Sequence, residues 1–173
     1  KYIYFLRHAK SDWSHIKKNI DIKDFDRSLS KTGIARAKKI KSFLKKNKNQ
    51  IDFITCSSSK RTIETLEIIK PSIEKSIINL SDELYTFDFL KLIKIIHKFS
   101  DNFNKIMIIG HNPAMHLSVN YFLNKEINKK KVIALEKKFP TASLAILKFN
   151  ERNWRKLKKD SGVISELVIP KKN

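Results

Sequence analysis

Three apolar runs in this chain each stop abruptly at polar, chemically capable side chains, and that punctuation limits the fold more than any other feature. Tyr2-Ile3-Tyr4-Phe5-Leu6 gives way to Arg7-His8-Ala9-Lys10-Ser11. Ile51 to Cys56 runs into Ser57-Ser58-Ser59-Lys60-Arg61-Thr62, and Lys105 to Ile109 runs into Gly110-His111-Asn112-Pro113. Each run has the length and the β-branched or aromatic content of an internal strand. In an open α/β sheet ligands gather beyond the carboxyl ends of the strands, so three such ends offer Arg7, His8, Arg61 and His111 to one site. Gly110 permits a tight turn there, and Pro113 suits the first turn of a helix.

The intervening segments supply the helices. Asp12 to Lys23 is polar with a single tryptophan and reads as a loop bordering the site. Ser30 is the expected N-cap of a helix whose apolar residues Ile34, Ala37, Ile40 and Leu44 recur at helical spacing. A second helix runs through Ile63, Leu66 and Ile69 to Pro71, with Arg61 in its first turn. Free backbone N–H groups and a guanidinium together attract anions at such a place, whereas the competing reading is a surface arginine paired with Glu64 or Glu67. Ile77 to Leu80 reads as a short strand, and about Asp88 to Lys98 as a helix burying Leu90, Ile93 and Ile96 or their neighbours. From Ala114 a helix is expected to carry Leu117, Tyr121 and Phe122 inward, followed by a basic connection from Asn124 to Lys131. Ser143 to Phe149 and Val163 to Ile169 read as strands, with a turn around Trp154 between them and a loose polar end at Lys171-Lys172-Asn173. Strands alternating with helices imply right-handed crossovers and a mostly parallel sheet.

Composition bounds the function classes. With 173 residues, 41% of them hydrophobic and few Pro or Gly, the chain suits one globular domain, 1–173, with a sizeable core. The lone Cys56 forms no internal disulfide and reads as a small buried hydrophobe. No apolar run approaches the ~18 residues of a membrane span, and the start lacks the pattern of a secretory signal, so a soluble cytoplasmic protein is expected. The formal charge of +20 comes from 37 Lys+Arg against 17 Asp+Glu. That excess is mostly lysine scattered among Ile and Asn, without zinc-finger spacing or RNP-type aromatics, so no specific nucleic-acid binding is expected. Solvated lysine faces compete with a field that attracts acidic or phosphorylated partners. The five histidines lack HExxH or paired-Cys spacing, which argues against a zinc site. His15, His97 and His116 receive no role.

Taken together, the motifs resemble those of the histidine phosphatase superfamily, with its phosphoglycerate mutase-like fold. Arg7-His8, the Ser-rich loop with Arg61-Thr62-x-Glu64-Thr65, and Gly110-His111-Asn112-Pro113 carry the likeness. The finer pattern is similar to the SixA-type phosphohistidine phosphatases and spans roughly residues 2 to 155. It comprises Arg7-His8-Ala9-Lys10-Ser11-x-Trp13, Asp24-Phe25-Asp26-Arg27-x-Leu29-Ser30-x-x-Gly33, Leu84-Tyr85 and Pro140-Thr141-Ala142.

This resemblance implies a three-layer α/β/α domain and a covalent phosphohistidine intermediate on His8. Arg7, Arg61 and His111 would bind the phosphoryl oxygens, water would hydrolyse phospho-His8, and neither metal nor cofactor would be needed. Many superfamily members have an acidic residue after the Leu-x pair to protonate the leaving group. Thr86 stands there in this chain, with Glu83 and Asp88 only nearby. An alkoxide leaving group needs that proton far more than an imidazole does, so the departure favours phosphohistidine on a protein partner. The chain has no insertion for a large lid, and an open pocket suits a protein side chain. The competing readings are a small-molecule phosphomonoesterase of the same superfamily, and a non-catalytic phosphate- or nucleic-acid-binding module.

Overall fold

The first strand, β1 (Tyr2–Arg7), is buried on both faces. Side chains alternate across a strand, so Ile3 and Phe5 enter one core while Tyr4 and Leu6 enter another. A strand with two apolar faces must lie inside a sheet covered on both sides. The computed structural model, which describes residues 1–14, 21–47 and 50–171, has that arrangement.

The other strands are β2 (Phe53–Ser57), β3 (Ile77–Ser81), β4 (Lys105–Gly110), β5 (Leu144–Lys148) and β6 (Val163–Val168). They form a six-stranded sheet in the order β3-β2-β4-β1-β5-β6. The pairs β3·β2, β2·β4 and β4·β1 are parallel, while β1·β5 and β5·β6 are antiparallel. The helices are α1 (Lys31–Lys46), α2 (Lys60–Ile69), α3 (Phe89–Ile96), α4 (Ala114–Phe122) and α5 (Lys129–Lys137). Chain direction explains their layering. The crossovers from β1 to β2 and from β2 to β3 advance toward one edge, so right-handedness puts α1 and α2 on the same face. The return from β3 to β4 reverses direction and puts α3 on the opposite face. Two cores result. One holds Ala37, Ile40 and Leu44 of α1 with Leu66 and Ile69 of α2. The other holds Leu92, Ile93 and Ile96 of α3, Met115, Val119 and Phe122 of α4, and Val132 and Leu135 of α5. The three-layer α/β/α fold with a mostly parallel mixed sheet agrees with the sequence.

Register aligns the functional ends. Leu6 lies beside Ile109 and Arg7 beside Gly110, while Cys56 also pairs with Ile109. The residues that follow β1, β2 and β4 therefore emerge side by side. Ser30 caps α1 by accepting a hydrogen bond from the Gly33 N–H at 3.1 Å. Gly33 is required by proximity, because a Cβ there would lie 2.1 Å from the Lys10 carbonyl oxygen. That close approach tethers the start of α1 to the loop leaving β1, as does the Ser30 N–H bond to the same carbonyl at 2.9 Å.

Some local expectations are corrected. Asn124 to Lys131 is not simply a connection, since α5 starts at Lys129 and buries Val132 and Leu135. The triple lysine masks this helix, but its apolar positions three apart suffice once a core is present. The third helix is shorter than expected, with Asp88 as its N-cap; Leu90 is exposed and Leu92 buried instead. Leu117 is likewise exposed, and so is Ile34, while Ala37, Ile40 and Leu44 are buried as expected. Trp154 is fully buried, its indole N–H donating to the Ser100 and Phe103 carbonyls at 3.1 Å. His15 and the end at Lys172-Asn173 lie outside the described residues, as does much of the expected Asp12 to Lys23 loop.

The two faces of the sheet and its β3 edge should respond differently to truncation. Phe5→Ala, at a fully buried position, is expected to lose about 3–5 kcal/mol of unfolding free energy in urea titration. Ile77→Ala on the exposed edge strand is expected to stay within about 0.5 kcal/mol of wild type.

Candidate active site

His8 follows β1 and is anchored through its backbone, its N–H donating to the Gly110 carbonyl at 3.1 Å. Its ring is oriented from the other side: Nδ1 lies 2.7 Å from the carbonyl oxygen of Ala9. Only a protonated nitrogen bonds a carbonyl, so Nδ1 carries the hydrogen and Nε2 keeps its lone pair. Burial, followed by the nearby His111, Arg61 and Arg7, drives the His8 pKa from 6.5 down to about 3, against the opposing pull of the Ala9 carbonyl. The ring is therefore neutral at physiological pH, with the Nε2 lone pair free of the proton that Nδ1 carries.

The Ala9 carbonyl is itself placed by its neighbours. Ala9 N–H donates to Thr65 Oγ1 at 3.0 Å, and Thr65 donates to the Arg61 carbonyl at 2.6 Å. Other parts of the Arg61-to-Thr65 motif are equally specific. Thr62 Oγ1 bonds the Ser57 carbonyl at 2.6 Å and so pins the serine loop, while Glu64 Oε2 accepts the Leu29 N–H at 2.6 Å. Arg61 therefore does not pair with Glu64 or Glu67. Its Nη2 bonds Asp24 Oδ2 at 2.8 Å, and its Nη1 donates to the Asp24 carbonyl.

His111 is 2% exposed and its ring centroid lies 5.0 Å from that of His8. Arg61 Nη2 is 3.3 Å from His111 Nδ1, and a guanidinium has only hydrogens to offer. His111 Nδ1 is thus the acceptor, and Nε2–H donates to Ser57 Oγ at 2.9 Å. Burial and then the Arg61 charge lower the His111 pKa to about 3, although Asp24 works in the opposite direction. Arg7 reaches across to donate to the Phe139 carbonyl at 2.9 Å, a carbonyl also held by Asn112 Nδ2 at 3.0 Å. The Nε–H groups of Arg7 and Arg61 are buried without a hydrogen-bond partner among the described residues.

All four residues singled out from the sequence, Arg7, His8, Arg61 and His111, line one open cleft of about 390 Å³. The cleft also contains side chains to which sequence reasoning assigned no task. Asp24 receives hydrogen bonds from Arg27 Nη2, Arg61 Nη2 and the Tyr85 hydroxyl, the last at 2.6 Å. Burial acts to raise its pKa, but the bonds from Tyr85 and Arg27 and the charge of Arg61 prevail and hold the carboxyl well below the usual range. Arg27 also lies 3.7 Å from the centroid of the Trp13 ring. The signal available was the Asp24-Phe25-Asp26-Arg27 cluster in a chain otherwise crowded with lysine.

The segment expected to bear an acid contributes aromatic residues instead. Tyr85 and Phe87 line the cleft, whereas Thr86 Oγ1 accepts the Asp88 N–H at 3.1 Å and Asp88 caps α3. Thr86, Glu83 and Asp88 are not cleft-lining residues; among the described residues that line it, Asp24 is the sole carboxylate. Outside the cleft, His97 Nε2 meets the Leu157 carbonyl at 3.0 Å and His116 Nε2 the Leu135 carbonyl at 2.7 Å, both structural contacts.

At the end of the first of four parallel strands, a histidine thus shares one cleft with two arginines and a second histidine. The sequence profile of the histidine phosphatase superfamily (branch 1) matches residues 3–91, just over half of the chain, and the protein belongs to that superfamily. Its relatives include the uncharacterized protein ML1117 of Mycobacterium leprae, 28% identical over 166 residues that cover 96% of this chain and all of that one. Two solved SixA proteins, each proposed to be a phosphohistidine phosphatase, share the fold. The one from Nakamurella multipartitia has a TM-score of 0.81 at 18% identity, covering 98% of this chain and 96% of its own. That from Agrobacterium tumefaciens has a TM-score of 0.78 at 24% identity, covering 98% and 97%. At these identities the likeness is one of fold.

The two depressed imidazoles tie stability to pH. An unfolded chain takes up protons near pH 6.5 that the folded site refuses until about pH 3. The stability they contribute is therefore fully present above the ordinary histidine pKa and is lost as pH falls toward the folded value. Urea unfolding at about pH 7 and about pH 4.5 should show a larger drop for wild type than for the His8→Gln, His111→Gln double variant. Parallel losses would contradict the assignment of neutral rings.

Proposed function

We propose that this protein is a phosphohistidine phosphatase that removes phosphate from a histidine of a protein partner through a covalent intermediate on His8. The observation that carries the substrate class is the chemistry of the cleft's carboxylate. Asp24 is held ionised by Arg27, Arg61 and Tyr85, so it has no proton to give an alkoxide at neutral pH. An imidazole leaves far more readily without one.

The steps follow from the side chains. His8 Nε2 attacks phosphorus in line while Nδ1–H stays on the Ala9 carbonyl, and the resulting phospho-His8 is hydrolysed by water. Arg7 and Arg61 supply fixed positive charge to the equatorial oxygens. His111, which offers a lone pair to Arg61 in the free enzyme, would bind a phosphoryl oxygen after taking a proton on Nδ1 as the dianion arrives. No step calls on a metal. The open cleft supports a protein substrate, and the proposed activity of the SixA proteins that share the fold supports phosphohistidine as its phosphorylated group. On this reading the protein works in the cytoplasm; no helix among the described residues is long and apolar enough to cross a membrane.

Incubation with a phosphohistidine-bearing protein tests the reading. Wild type should release phosphate and carry a transient acid-labile label, and His8→Ala should do neither, with a loss of at least about 10³-fold. Turnover of small phosphoesters alone would instead identify a phosphomonoesterase, and silence on both would identify a binding module.

The charge of +20 adds a second expectation. Steering of an acidic protein substrate should make kcat/KM fall as salt rises, while kcat/KM for a small neutral-leaving-group ester falls much less. Equal salt dependence would remove the steering argument.

A further inference from the structure

We propose that Asp24 selects phosphorus–nitrogen substrates by accepting the distal ring N–H of a protonated phosphohistidine, which then departs as neutral imidazole. The proposal rests on the phosphohistidine reading above and names the group that recognises the leaving ring.

The geometry has three parts. Asp24 lines the same cleft as His8, and its side chain is 47% exposed and so open to a donor from outside the protein. Three donors from different elements hold it: Arg27 from its own turn, Arg61 from α2 and Tyr85 from the turn after β3. An ionised carboxylate has about four acceptor sites, so one remains for an incoming donor. The other titratable groups facing this space are Arg7, His8, Lys10 and His111.

An acceptor held in this way discriminates by leaving-group chemistry. The bridging oxygen of a phosphoester brings lone pairs, which gain nothing from a carboxylate. A histidine phosphorylated on one ring nitrogen and protonated on the other brings an N–H. As the His8 Nε2–P bond forms, the P–N bond breaks and its electron pair returns to the leaving nitrogen. The departing ring keeps its distal hydrogen and is neutral imidazole, while phospho-His8 keeps Nδ1–H and takes over the positive charge. No proton has to be supplied at the moment of transfer. The substrate ring would thus be held on Asp24 as His8 is held on the Ala9 carbonyl.

The test compares Asp24→Asn and Asp24→Ala with wild type on a phosphohistidine peptide and on p-nitrophenyl phosphate, whose leaving group has no N–H and needs no acid. Asp24→Asn preserves shape, and circular dichroism identifies variants that fold. Either variant should lower the ratio of phosphohistidine to aryl ester turnover by about tenfold or more, the effect of one hydrogen bond to a charged group. The basic limb of kcat for phosphohistidine should move down by about one pH unit, because the bound substrate loses its distal proton sooner without the carboxylate. The limb for the aryl ester should move by less, since there only the loss of the Asp24 charge near His111 acts. Equal losses on both substrates, with limbs that move equally or not at all, would overturn the proposal and make Asp24 a positioning residue for Arg61. Wild type that cleaves the ester but not the phosphohistidine, or cleaves neither, would overturn the underlying reading as well.

Discussion

The parallel pairing of β1 with β4 is the constraint on which the rest of this protein depends. It sets Arg7 beside Gly110, and the His8 N–H then continues the ladder by bonding the Gly110 carbonyl. A slip of one residue would exchange Ile3 and Phe5 for Tyr4 and Leu6 between the two cores and turn His8 away from His111. Burial of both faces makes such a slip expensive. The apolar alternation that stabilises the sheet is therefore also what keeps two histidine rings 5.0 Å apart.

Assembling cations with no anion in place creates a second problem, and the fold answers it from within. Arg7, Arg27 and Arg61 converge on one cleft together with two largely buried imidazoles. Leaving both rings neutral removes two potential charges, and Asp24 balances part of the remainder by engaging Arg27 and Arg61 at once. On the function proposed, Arg27 and Arg61 are thus oriented before a phosphoryl group arrives, which reduces the reorganisation required in the transition state. The same carboxylate lowers the net field that attracts the phosphate, so affinity and preorganisation oppose each other at this one residue.

What was legible in the sequence follows from which signals are local. The strand ends were readable because a strand buried on both faces must be nearly continuous in apolar residues, and Arg7, His8, Arg61 and His111 are each adjacent to such a run or to a helix start. Ser30 was readable because a cap and its target lie three residues apart. Asp24 was not, because its donors sit at positions 27, 61 and 85, and nothing in a linear chain announces that convergence. Thr86 and Asp88 illustrate the converse. They neighbour the expected acid position, yet one accepts a backbone N–H and the other caps α3, so proximity in sequence carried no chemistry. Leu90 and Leu117 had the right periodicity, but a helix stripe wider than its contact leaves its outermost leucines in water.

On the function proposed, nucleophile and leaving group are the same chemical group, and this changes what the site must accomplish. Transfer from one imidazole nitrogen to another exchanges one P–N bond for its equivalent, so the first step is close to thermoneutral and the free energy is released when water attacks phospho-His8. A site for such a reaction needs neither a strong acid nor enclosure of a reluctant alkoxide. It needs alignment of two rings with phosphorus between them and fixed positive charge around the phosphoryl oxygens. The Ala9 carbonyl, set by Thr65, answers the first need for His8, and Arg7 and Arg61 answer the second. The aromatic residue at position 85, beside Thr86 in place of an acid, is then consistent with the chemistry, because its hydroxyl steadies a carboxylate that accepts rather than donates.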